Sequence, residues 1–304
     1  MEDIIAVLNN REKAMLIWLA FGLALALRSK DIRSSLVSIA ETLLSRPILT
    51  ILAAMAGYAS VVVFFSYRFG LWDFRMTKDT AIWLLGPAIV MVFNHDKART
   101  EPSYFKKMLL ANLKVVLVVE FLVNFYVFNI LVEALVVLPL LFFLGVSLAV
   151  SQAKEEYARV GRLVQSFMGL IGLLLLFYAL ARLVGDFNSF ASVATLKSFV
   201  LPPALTVLFL PFIYGLAVYT AYELIFMRIT LRITDTKLAR HTRRQVLRAC
   251  LFRLSRVNHF ANEYAPQLST IKSQWDATNL ISDFKRSIGG ASAVAQEGSH
   301  AQAS

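Results

Sequence analysis

The chain has 304 residues, 58% of them apolar and only 17% charged, with a mean hydropathy of +0.62. A soluble domain of average make-up is about 45–50% apolar and about 25% charged, so the excess, gathered in long runs, points to a bilayer rather than a large soluble core. Net charge is +11, with 12 of the 31 Lys and Arg residues after Met227, and the single Cys250 excludes an internal disulfide or a multi-cysteine metal site.

The first apolar run, Ala14–Leu27, is fourteen residues long. Ala24-Leu25-Ala26 looks like a cleavage signal, but a signal peptide carries a positive leader. Here Glu2, Asp3 and Glu12 outnumber Arg11 and Lys13, so a short retained span is expected. Next comes DIRSSLVSIAETLLSR, in which Ile32, Leu36, Ile39 and Leu43 share one helical face. Two readings stay open for it: a helix lying along the inner leaflet, or a connector packed on other loops.

Crossing a hydrocarbon core of about 30 Å takes about 20 apolar residues in a helix. Pro47–Tyr67, Met108–Asn124, Ile130–Val150, Leu163–Leu183 and Phe199–Ile225 meet that need, the last despite Pro202, Pro203 and Pro211, which are expected to break it. Thr80–Phe93 is shorter and contains Gly86-Pro87, so a re-entrant segment is the alternative there. Asn94-His95-Asp96 after it reads as a loop feature rather than a metal or acid–base site.

Cytoplasmic loops carry the excess of Lys and Arg. With seven spans, an outer N-terminus and an inner C-terminus, 23 basic residues face inward and 7 outward: Arg11, Lys13, Arg68, Arg75, Lys78, Arg182 and Lys197. Lys114 lies within a span, where its long stem carries the ammonium toward the inner headgroups. The expected fold is therefore all-α and polytopic, with about seven transmembrane helices (six if the first fails to cross). Three regions follow: a transmembrane domain over 1–228, a basic cytoplasmic helical region over 229–286, and a disordered tail over 287–304.

Within the run KVVLVVEFLVNFY, Glu120 is costly: a charge at the bilayer centre costs about 2.5–3.5 kcal/mol on insertion scales. The 43 residues Met108–Val150 must turn back once, best within Asn124–Asn129, where two amides bracket aromatics suited to an interface. A turn near Val127 brings Glu120 and Glu133 to nearly the same depth on adjacent helices. In one reading both acids sit near the outer interface, wetted or hydrogen-bonded to Asn124 and Asn129. In the other, Glu120, Asn124 and Glu133 form an ion- or proton-binding site inside the bundle.

Asp235 to about Ala261 reads as a basic amphipathic helix leaving the last span. Lys237, Arg240, Arg244 and Arg248 form one face; Val246, Cys250, Leu254, Val257 and Ala261 lie opposite. Its candidate partners are anionic lipid of the inner leaflet, then an acidic protein partner or a second copy seated on the apolar side; nucleic acid is the weakest. No phosphate-binding loop, nucleophile elbow or H-E-x-x-H motif is present, so neither an enzyme nor a cofactor is expected. The leading expectation is the membrane module of a larger assembly in a bacterial-type plasma membrane, docking through the basic region. An ion- or proton-coupled transporter or channel is the alternative.

Overall fold

The structure is a computed structural model of the whole chain, and the residues described are 8–101, 103–111, 121–123, 125–153, 157–185, 187 and 192–301. Among them every regular element is helical and none is a strand. Packing divides the chain into two units, residues 1–84 with 110–205 and residues 85–109 with 206–304.

Among the described residues, five helices are long and apolar enough to cross a membrane: α3 (Arg46–Arg68), α4 (Phe74–Phe93), α7 (Ile130–Ala153), α8 (Ala158–Gly185) and α9 (Val193–Arg232). Most of their apolar surface is not covered by protein; only 6% of the most hydrophobic stretch of α8 is buried. Leucines and phenylalanines facing outward over so large an area need lipid rather than water around them. Of the two remaining expected spans, Ala14–Leu27 lies largely in a 17-residue helix, α1 (Asn10–Ala26). Most of Met108–Asn124 lies outside the described residues; its start belongs to α6 (Tyr104–Ala111), which follows the short α5 (His95–Thr100), and residues 121–123 are helical.

In the first unit, Asn9 and Glu12 close a capping box at the start of α1, each side chain accepting the other's backbone N–H. Helix α2 (Lys30–Leu43) is capped by Ser29 and has no buried residue; Ile32, Ile39 and Leu43 stay exposed. Among the described residues none buries any part of that stripe. Helices α7 and α8 approach closely where Gly161 meets Ser151: a Cβ added at 161 would stand 2.6 Å from the serine Oγ.

The chain of α4 does not stop at Gly86-Pro87. It widens to a π turn over Leu84–Ala88 and continues, because the wider register tolerates the N–H that proline lacks. A second π turn, Glu133–Val137, precedes Pro139 in α7. In that register the Ala134 carbonyl faces position 139, where no N–H exists, and Trp18 Nε1 supplies the donor at 2.6 Å. The prolines of α9 do not break it either: the helix is α-helical from Val193 to Arg232.

The second unit is built around the later part of α9. Its core gathers Ile225 and Ile229 of α9 with Val246 and Cys250 of α10 (Thr236–Cys250), Val257 of α11 (Leu254–His259), and Phe260, Leu268 and Phe284, all essentially buried. Helix α10 packs on α12 (Gln274–Ala301), and the Phe260 and Phe284 rings meet edge to face at 5.1 Å. Helix α12 opens with a reciprocal cap: Asp276 Oδ2 accepts from the N–H groups of Lys272 and Ser273, and Asp276 N–H donates to Ser273 Oγ. It is helical to Ala301.

A buried ion pair and a basic helical face

Among the described residues of the first unit, Glu133 is the one acidic residue that is fully buried, at the start of a π turn. Its partner is Arg11 of α1. The guanidinium Nε donates to Oε2 and Nη2 to Oε1, both at 3.1 Å, a planar two-point match between fork and carboxylate. Oε1 also accepts the Phe128 N–H at 3.0 Å, while Arg11 Nη1 donates to the Val123 carbonyl at 3.2 Å. Asn10 Nδ2 donates to the Phe128 carbonyl at 3.0 Å. Asn129 caps α7 by accepting the Val132 N–H.

The non-helical turn therefore falls at Tyr126–Asn129, within the segment read for it from the sequence, and α1 ties it down. Both carboxylate oxygens are occupied by N–H donors, so the group fastens the turn before α7 to α1. Of the three residues read as an ion or proton site, Glu120 and Asn124 lie outside the described residues, as does Lys114. Arg11 was counted from the sequence only as an outer loop charge. The signal that points to it is general: a buried carboxylate needs a cation, and the basic residues near the ends of the apolar runs are the pool from which one is drawn. A second, half-buried bridge joins Lys78 to Glu12 at 3.2 Å.

In the second unit, Lys237, Arg240, Arg244 and Arg248 are all exposed on α10. The opposite side is closed: Val246, Cys250 and Val257 have no exposure, and Leu254 and Ala261 little. This corrects the expectation that the apolar side offers a partner its seat, since α12 and the turns before it already cover that side. Burial also pushes the Cys250 thiol up to about 12, so it is an inert core residue.

Helix α10 ends in a corner that nothing in its sequence announces. Leu251 has φ 51° and ψ −144°, a conformation that suits glycine and costs other residues about 1–3 kcal/mol. Two tyrosines of α9 hold it. Tyr222 Oη donates to the Leu251 carbonyl; Tyr214 Oη donates to the Phe252 carbonyl at 2.8 Å and accepts the Leu254 N–H at 3.2 Å. The same unit has a half-open cleft of about 710 Å³, lined by Arg99, Glu101, Arg228, Asn258 and Asn262 among others. Across it Asn258 Nδ2 donates to the Arg99 carbonyl and Arg228 Nη1 to the Ala261 carbonyl, both at 2.7 Å. His95 Nδ1 sits 2.7 Å from the Val92 carbonyl, and among the described residues no group of His, Cys, Asp and Glu is arranged to hold a metal.

Five long apolar helices left largely uncovered point to a helical membrane protein. No protein-family model, characterised protein or solved structure matches the chain.

Proposed function

We propose that the chain is the membrane module of a larger assembly, docking anionic lipid or an acidic partner through the basic face of α10. The observation that carries this is the exposure of Lys237, Arg240, Arg244 and Arg248 on a helix whose other side is already packed. A face with no packing duty is free to bind. In this reading the chain crosses a bacterial-type plasma membrane seven times, with the N-terminus outside and the C-terminus in the cytoplasm. The five long helices are joined by α1, about 25 Å long at 1.5 Å per residue, and by Met108–Asn124.

The test changes all four basic residues to Gln. Each juxtamembrane cation contributes about 1 kcal/mol toward an anionic surface, so the four together account for about a thousandfold in apparent affinity. Native mass spectrometry of the detergent-solubilised protein titrated with phosphatidylglycerol should show adducts that the variant loses, with little change for phosphatidylcholine. Equal phosphatidylglycerol binding by both proteins, unaffected by salt, would leave the face without a ligand of this class.

A second reading, ion- or proton-coupled transport through Glu120 and Glu133, draws support from the complete burial of Glu133. The Arg11 fork weighs against it by occupying both oxygens of that carboxylate.

A further inference from the structure

The corner between α10 and α11 combines three features that a connecting turn does not need. Leu251 takes a backbone conformation that glycine adopts without strain, yet a leucine stands there. Its side chain and that of Phe252 face outward, 54% and 81% exposed. Arg248 and Arg253, both exposed, stand on either side of the pair.

The height of the corner is set by its two anchors. If the apolar stretch of α9 begins just after Lys197, Tyr214 lies about 24 Å along it and Tyr222 about 36 Å, at 1.5 Å per residue. A hydrocarbon core of about 30 Å ends between the two. Tyrosine is enriched at that boundary, where its ring is apolar and its hydroxyl meets water or backbone. Here the hydroxyls meet the carbonyls of Leu251 and Phe252. Phe105 packs against Tyr214 at 5.7 Å between ring centroids, adding a further aromatic at the same level.

We infer that Leu251 and Phe252 form a wedge that enters the inner leaflet of the membrane carrying the protein, with Arg248 and Arg253 meeting anionic headgroups around it. This rests on the orientation proposed above and deepens the lipid arm of that reading. Charge alone would hold the basic face near the surface. The wedge adds depth and fixes the angle at which α10 lies against it. The strained backbone serves to point two large apolar side chains away from the core, whereas a relaxed turn has no such requirement.

The experiment places a nitroxide at Phe252→Cys in the full-length protein, reconstituted in vesicles of phosphatidylglycerol and phosphatidylcholine; buried Cys250 does not compete for the label. A control label goes at Trp275→Cys, also well exposed, at 72%, but remote from the corner in sequence. At 252 collision with oxygen should exceed collision with a water-soluble nickel complex, and at 275 the order should be reversed. A label at 252 as open to nickel as the one at 275 would overturn the wedge. A separate variant, Leu251→Gly, should melt no lower than wild type while losing at least severalfold in phosphatidylglycerol retention. A lower melting temperature with unchanged retention would make Leu251 a packing residue and also overturn it. If the 252 label sits in water while the four-Gln variant still loses its lipid, the wedge fails and the basic-face reading stands.

Discussion

Removing Arg11 should cost more than any other single change in the first unit. Its guanidinium makes both contacts to a carboxylate with no exposure, and the arginine side chain is itself only 10% exposed. Breaking a buried pair from one side costs about 3–5 kcal/mol, because the remaining charge is stranded in a medium that cannot solvate it. At about 2 °C per kcal/mol, the low end for large domains, Arg11→Met should lower the melting temperature by about 6–10 °C. Glu133→Gln should cost a similar amount, since an amide cannot accept the whole fork. In the double variant Arg11→Met, Glu133→Gln no charge is stranded, and the glutamine oxygen still accepts the Phe128 N–H. It should be more stable than either single variant, giving a coupling on the order of 3 kcal/mol. Thermal unfolding in mild detergent, followed by tryptophan fluorescence, reads all four proteins. Strictly additive losses would refute the pair as a structural unit. A double variant that folds normally but abolishes an ion flux shown by wild type would move Glu133 to the transport reading.

Two further outcomes are expected. Hydrogen bonds from the Lys272 and Ser273 backbones hold the Asp276 carboxyl below its ordinary value of 3.8. A depressed folded value means the cap stabilises α12 fully above about that pH and is lost as the pH falls through the folded value. Acid unfolding of the protein should therefore lose part of its pH dependence in that window in Asp276→Asn, as checked by circular dichroism; an unchanged profile would deny the cap its role. For topology, a membrane-impermeant thiol reagent applied to whole cells should modify Arg75→Cys and spare Ser269→Cys, and the reverse pattern would invert the proposed orientation.

What the sequence made legible and what it did not divide along a physical line. Period and length are local, so the long apolar helices were readable, as was the turn between Asn124 and Asn129 that a 43-residue run demands. The wheel of α10 was readable too, with its cations on one side and Val246, Cys250 and Val257 on the other. What covers the apolar side was not, because α12 follows more than twenty residues later and its own pattern is weak. The partner of Glu133 lies 122 residues away, and no spacing rule spans that distance. Pro87 is read locally as a possible break, but a π turn needs only one extra residue to absorb it, as another does ahead of Pro139. The corner at Leu251 had no glycine or asparagine to mark it, since its geometry is imposed by two tyrosine hydroxyls from another helix.

The wide separation of Arg11 and Glu133 also sets a schedule for biogenesis. The ribosome makes the arginine 122 residues before the glutamate, a gap of about 6–24 s at about 5–20 residues per second. Through that interval the first helix has left the ribosome with a cation whose eventual counter-charge does not yet exist. The polar end of α1 must wait for its final seat, which opens only when the turn around Phe128 arrives. Helix α1 is thus made well before the segment that locks it, and in that interval it is open to insertion factors and to surveillance proteases.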